Sequence, residues 1–394
     1  MNENDMKRSI YDIFYIFRRE FYTVFRDHAV LTFFIVLTLV YPLVYTYIYS
    51  NEVVREVPVA VIDQAQSSLS REFLRNWDAS ANVNIVAYCT DLEEARELMY
   101  QKKIYGILEI PADFSKAVYR GEQAHVALFC DMGALLNYKA LLQAASDVAI
   151  AMGKQIQVEG LTYASSAHQQ STVSPVKIGE VKMFNPQSGF ASFIIPAVLV
   201  LVIQQSLLLG VGTIAGTSRD RSRRKSMIPL NRHYRKAWCI VAGKTCLYMP
   251  VYFLMAFWVF FIVPRIFSLT QIAPKGELMI FLFPFLLACV FLAIAASFLS
   301  KEREQPFLLF VFTSVPLMFI SGISWPKEGI PDYWLAIAKI FPSSHGIDGF
   351  VKINNLGATL GDVRQEYLWL WFLAVIYFVL ACFLFRREIR RVTK

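Results

Sequence analysis

Gly243-Lys244-Thr245 is the tripeptide that ends a phosphate-binding loop, and it is the most suggestive piece of chemistry in the chain. Such a loop needs a glycine at position 238, so that backbone N–H groups can cradle a phosphate. Trp238 stands there, the intervening residues are apolar, and no strand precedes them. Lys244 therefore reads as a charge at the water-side end of an apolar helix, and the chain does not bind ATP in that manner itself. The histidines His28, His125, His168, His233 and His345 are scattered. With no His-Glu-x-x-His pair and no Gly-x-Ser-x-Gly elbow, neither metal-assisted hydrolysis nor serine catalysis has its residues. His345, in Pro342-Ser343-Ser344-His345, reads as a helix-terminus or interfacial residue. No cofactor and no metal are expected on this chain.

The elements that hold these residues are dictated by hydropathy. With 56% hydrophobic residues, a mean hydropathy of +0.42 and 394 residues, the chain exceeds the apolar content of an ordinary soluble domain. The excess lies in six blocks, 29–49, 190–217, 237–263, 278–299, 307–323 and 367–385. About 20 apolar residues cross the ~30 Å hydrocarbon layer as a helix, and only the fifth block falls short of that length. The expected fold is thus an α-helical polytopic membrane protein with six transmembrane helices. The first block is too long for a cleaved signal peptide and reads as a retained anchor.

Between the first and second blocks, short β-branched runs alternate with helical ones, starting at Val57 and ending near Cys130. That alternation predicts an inserted α/β domain over residues 50–185, with a largely parallel or mixed sheet. A long helix over 134–158 reads as a stalk, and the Ser-, Gln- and Gly-rich stretch 159–180 as a loop. Residues 1–28 carry Ile10, Ile13, Phe14, Phe17, Phe21, Val24 and Phe25 at helical spacing, with Arg8, Asp12, Arg19, Thr23 and Arg26 on the other side. This is the pattern of a helix lying along the headgroups.

Lys and Arg set the orientation. Four segments, 1–28, 218–236, 300–305 and 386–394, hold 20 basic and 9 acidic residues, against 39 and 31 in the whole chain. Basic excess marks the cytoplasmic side. Both termini and the 218–236 loop are therefore expected in the cytoplasm, and the inserted domain outside. The basic balance reports topology, not nucleic-acid binding. Cys89 and Cys130 alone would face an oxidising compartment; each falls in an apparent strand, and two separate buried thiols are the favoured reading over a disulfide. After the fifth block, residues 321–366 carry Ser321, Gly322, Pro326, Pro331 and Pro342 around an apolar stretch with Trp334 and Phe341. They read as short helices dipping back into the outer leaflet, where protein covers their broken backbone.

Apart from Lys244, the six blocks contain no Asp, Glu, Lys, Arg or His. Ion-coupled pumps place ionisable groups at mid-membrane despite a cost of roughly 3 kcal/mol each, so this chain lacks their means. If it moves a solute, another protein supplies the energy. The candidate contact for such a protein is the loop 218–236, with Arg219, Asp220, Arg221, Arg223, Arg224 and Lys225 ahead of Pro229. Positive-inside charge alone accounts for it equally well.

Several stretches, in order along nearly the whole chain, resemble the ABC transmembrane type-2 family of exporter permeases, in the branch with a large extracytoplasmic domain. They are Val57-Pro58-Val59-Ala60-Val61-Ile62-Asp63 with Ser67-Ser68-Leu69-Ser70-Arg71, Gly106-Ile107-Leu108-Glu109-Ile110-Pro111-Ala112-Asp113-Phe114, Phe184-Asn185-Pro186, Pro229, Gly243-Lys244, Ser321-Gly322, Pro326, Pro331 and Phe341-Pro342. The family's loop usually alternates Arg and Glu, whereas Arg219 to Lys225 is here almost wholly basic. The resemblance implies a permease subunit in the bacterial inner membrane that works as a homodimer or with a sibling permease. It also implies a separate nucleotide-binding subunit carrying ATP and Mg, and a periplasmic adaptor as a further candidate partner. A rival reading from another class is a non-transporting envelope receptor or scaffold whose ectodomain binds a partner. Six charge-free blocks plus a re-entrant segment are more membrane structure than an anchor needs.

Overall fold

The computed structural model describes residues 3–51, 53–160, 184–185, 189–222, 226–229 and 231–393. The chain divides into two compact units, one of residues 1–52 and 182–394, the other of residues 53–181.

The smaller unit is built on a four-stranded sheet in the order β2-β1-β3-β4, with β1 Val57–Asp63, β2 Val83–Tyr88, β3 Gly106–Ile110 and β4 Ala127–Cys130. β1 pairs in parallel with both β2 and β3, and β4 runs antiparallel to β3. Strand periodicity sends successive side chains to opposite faces. Val57, Val59 and Val61 accordingly pack with Phe73, Leu74 and Trp77, while Ala60 and Ile62 pack with Ala95, Ile104 and Ile107. Phe73, Leu74 and Trp77 come from helix Ser68–Asp78, capped by Ser67, and Ala95 from helix Leu92–Tyr100, capped by Asp91. A short helix, Phe114–Tyr119, follows β3.

The long helix Leu135–Gly160 is not a free stalk. Its Leu141, Ala144, Ala145 and Met152 are buried in the same cluster as Trp77 and the Val57, Val59 and Val61 face of β1, so it is part of the unit's core. Its sequence is apolar along one side because that side meets the sheet. Cys89 and Cys130 are both free. Cys89 directly follows β2 and Cys130 ends β4, with β1 and β3 between their strands, about 14 Å of sheet. That exceeds disulfide reach. Burial pushes the Cys130 thiol up to about 11 and raises Cys89 as well, so both remain protonated and inert at neutral pH.

In the larger unit, five helices among the described residues are long and apolar enough to cross a membrane: His28–Ile48, Phe190–Arg221, Ala237–Ile266, Lys275–Leu299 and one starting at Arg364. The second is the centre of the bundle, 89% of its apolar window being buried against 28% for the first. The fifth apolar block forms a helix of 16 residues, Gln305–Ile320. At 1.5 Å per residue it covers about 24 Å, short of a hydrocarbon layer. The chain then bends at Gly322, whose φ of +86° suits glycine, and continues as the short helices Asp332–Ala338 and Pro342–Leu356.

The N-terminal helix Glu3–Arg26 divides its circumference in three. Ser9, Asp12, Ile16, Glu20 and Val24 are buried against the bundle. Ile10, Phe14, Phe21 and Phe25 form an exposed apolar stripe. Arg8, Arg18, Arg19, Tyr22 and Arg26 lie on the remaining arc, so the helix is amphipathic toward three surroundings rather than two.

Candidate functional site

The polar ends of the membrane unit converge on the N-terminal helix. Its buried face carries two carboxylates, and each finds a partner more than 200 positions along the chain. Asp12 Oδ1 lies 2.6 Å from His233 Nδ1. Glu20 accepts from both Lys244 Nζ and the Tyr248 hydroxyl. Around these, Lys236 Nζ donates to Ser9 Oγ at 2.9 Å and Asn231 Nδ2 to the Tyr15 hydroxyl at 2.9 Å, while the Arg19 guanidinium stands over the Tyr234 ring. The result is a clamp fixing the N-terminal helix to residues 231–248.

The glycine of Gly243-Lys244-Thr245 belongs to this clamp. A Cβ there would lie 2.8 Å from Ile16 Cβ and 3.0 Å from the Ile13 carbonyl oxygen, so the bare backbone admits the crossing helix. Lys244, by sequence a charge at the water-side end of an apolar helix, is the half-buried partner of Glu20. Neither pairing was legible beforehand: the helical pattern marks Asp12 as polar but contains nothing about a histidine so distant in sequence.

A second set of contacts ties the ends of the long helices together. Arg219, on the last turn of helix Phe190–Arg221, donates Nη1 to the Phe298 carbonyl at 3.2 Å and to the Ser300 carbonyl. Asp220 Oδ2 accepts from the Arg303 amide at 3.3 Å, and Arg303 Nη2 donates to Asp27 Oδ1 at 2.9 Å. Gly216 permits the approach, since a Cβ there would lie 2.4 Å from the Glu302 carbonyl oxygen. Of the loop residues expected to face a partner, Arg219 and Asp220 are thus turned toward neighbouring helix ends. Arg221 is exposed and lines a cavity of about 590 Å³ with Tyr15, Arg18, Arg19, Tyr22 and Arg26. Pro229 is half-buried; Arg223, Arg224 and Lys225 lie outside the described residues.

After helix Gln305–Ile320, Ser321 Oγ donates to the Met318 carbonyl at 2.6 Å, Pro326 precedes a turn at Lys327–Gly329, Pro331 stands just before helix Asp332–Ala338, and Pro342 opens helix Pro342–Leu356. This last helix runs against Phe190–Arg221. Ser343 N donates to Gln204 Oε1 at 2.7 Å, and Asn355 Nδ2 donates to the Ser192 carbonyl at 3.1 Å. Between Asp332–Ala338 and Pro342–Leu356 the chain turns at Ile340, whose carbonyl accepts from the Tyr377 hydroxyl. Among the described residues no group of three or more His, Cys, Asp or Glu is placed to hold a metal ion.

Residues 28–383 match the family described as ABC-2 family transporter protein. The chain is similar to the probable multidrug ABC transporter permease YbhR of Escherichia coli strain K12, 21% identical over 360 residues that cover 90% of this chain and 92% of the relative. It is also similar to ABC transporter G family member 20 of Dictyostelium discoideum, 21% identical over 375 residues, 91% of this chain but 48% of that longer protein. No solved structure matches the chain. Long apolar helices, a charged clamp at one end and a family match over nearly the full length converge on one assignment: the chain belongs to the ABC-2 transporter family and is the membrane permease component of an ABC transporter.

Proposed function

We propose that this permease is an exporter subunit of the cell membrane, the inner membrane of a bacterium, driven by a separate nucleotide-binding subunit that supplies ATP and Mg. The observation that carries the reading is the clamp. The N-terminal helix, residues 231–248 and the 297–305 turn are joined by ion pairs and hydrogen bonds at one end of the bundle, so a push on any of them moves several spans together. Two copies of the chain, or one with a sibling permease, would supply the walls of a path, and a periplasmic adaptor is a further partner under this reading. The six-span count includes helix Gln305–Ile320 as the fifth crossing, completed by the bend at Gly322. The solute is apolar or amphipathic, in keeping with the multidrug description of the relative from Escherichia coli.

Two experiments test this. In a cysteine-free background, Ser80→Cys and Ser166→Cys are expected to react with an impermeant maleimide in intact cells and Ser222→Cys is not; labelling at Ser222 reverses the orientation. Purified alone in lipid, the chain is expected to show neither ATP hydrolysis nor uptake driven by a proton or sodium gradient. A robust response to an ion gradient would remove the ATP-driven reading.

A further inference from the structure

The turn between helices Asp332–Ala338 and Pro342–Leu356 carries a lysine to the middle of the membrane unit. Two independent rulers fix its depth. Helix Pro342–Leu356 runs antiparallel to Phe190–Arg221, and equal numbers of residues separate Ser343 from Asn355 and Gln204 from Ser192. The two helices climb in step, and Ser343 lies about 18 Å from the level of Ser192. On the last helix, Tyr377 bonds the Ile340 carbonyl about 20 Å from the helix start at Arg364. Cys289, midway along Lys275–Leu299, adjoins the same Gln204 side chain. Residues 340–343 therefore sit near the centre of a ~30 Å hydrocarbon layer.

Lys339 is the residue immediately before them, and it is exposed. Non-helical backbone at membrane depth persists only inside protein or beside a water-filled cavity. A lysine facing lipid at the bilayer centre costs roughly 3 kcal/mol. No carboxylate pairs with Lys339 among the described residues, and the nearby Asp348 is held by Lys327. The acceptors of this turn are committed: the Lys339 carbonyl lies 3.2 Å from His345 Nε2, and the Ile340 carbonyl bonds Tyr377. The uncommitted buried groups nearby are the Gln204 Nε2 donor and the Ser344 hydroxyl. The N-terminal end of helix Pro342–Leu356 adds a partial positive charge.

We infer that Lys339 lines a water-filled stretch of the solute path and pairs there with an acidic group of the solute, so the exported molecule is an amphipathic anion bearing a carboxylate, sulfonate or phosphate. This rests on the exporter reading above. It adds a charge requirement that the six apolar blocks, which lack ionisable residues at this depth, did not contain.

Two measurements test it. Everted vesicles holding the complete complex with its ATPase subunit are offered pyrenebutyrate or pyrenebutyl-trimethylammonium, which share a body and differ in charge. The parental complex is expected to take up the anion on adding ATP. Lys339→Gln should lower that uptake at least tenfold, Lys339→Arg should preserve it, and Lys339→Glu should shift preference to the cation. Parental anion uptake by Lys339→Gln, equal loss of both probes, or a parental complex that moves neither probe or prefers the cation overturns the acidic-solute assignment. Separately, Lys339→Cys in a cysteine-free chain should react with the charged reagent sulfonatoethyl methanethiosulfonate, while Val379→Cys, exposed at similar depth on the last helix, should not. This reaction needs neither ATP nor solute. An unreactive Cys at 339 overturns the path itself, whereas a reactive one in a complex that ATP cannot drive overturns the exporter reading and leaves the water-filled turn standing.

Discussion

Glu20→Gln is expected to destabilise the membrane unit by about 3 kcal/mol, a loss typical of leaving one member of a buried ion pair behind. The side chains of Lys244 and Glu20 are 17% and 9% exposed, so solvent screens them little. In the variant the ammonium keeps its charge and loses its counter-charge, and the Tyr248 hydroxyl loses its carboxylate acceptor. The measurement is the unfolding midpoint of the purified chain in lipid nanodiscs. Lys244→Met, added to Glu20→Gln, is expected to recover most of the loss, because two neutral side chains of similar volume need no pairing. Such a cycle separates the pair's coupling from simple repacking. If Glu20→Gln alone shifts stability by less than about 0.5 kcal/mol, as surface substitutions do, the clamp does not hold the N-terminal helix.

That pair shows where sequence stops informing. Hydropathy made the long helices legible because a bilayer imposes a minimum apolar length on anything that crosses it, and 190–217, 237–263 and 278–299 satisfy that length from composition alone. The sheet was legible because Val57–Asp63 and Gly106–Ile110 are β-branched runs punctuated by capped helices. Helix Gln305–Ile320 was harder, since apolarity continues past its end to Ile323 while Ser321 and Gly322 break the hydrogen-bond ladder. Periodicity marked the N-terminal helix as amphipathic. It left Asp12 among the polar-side residues and did not single out Glu20, because a moment distinguishes polar from apolar and says nothing of which carboxylate meets a cation 200 positions away. Gly243 looked like nucleotide chemistry and is a steric allowance for Ile16. Lys339 escaped notice for a related reason: its neighbours are apolar, and only the contacts of Ser343 and Ile340 reveal how deep the turn lies.

Arg219→Met is expected to lower ATP-driven export roughly tenfold or more while leaving the ATPase subunit bound, and here the described half of the loop makes a sharper claim than its charge does. Arg219 is spent on the Phe298 and Ser300 carbonyls, so it joins the end of helix Phe190–Arg221 to the end of helix Lys275–Leu299. Hydrogen bonds to a charged group contribute about 1.5–3 kcal/mol. A coupling energy of that size corresponds to a change of roughly 10- to 150-fold between linked sites. Removing it lets one helix end move without the other, and a stroke delivered to the loop is dissipated as slack. Arg219→Lys is expected to keep part of the link, since both carbonyls accept from the single nitrogen Nη1 and an ammonium also carries several N–H donors on one nitrogen. Arg223 and Arg224, under the proposal that they meet the ATPase, behave oppositely: their double replacement by Ala should weaken the hold on the ATPase, most of all at high salt, where the remaining basic charges of the chain are screened. Co-purification at low and high salt, with export assayed in parallel and the maleimide pattern shown to be parental, separates the two. An Arg219→Met complex that exports at the parental rate, or one that sheds its ATPase, would show that this arginine is not a link between helices.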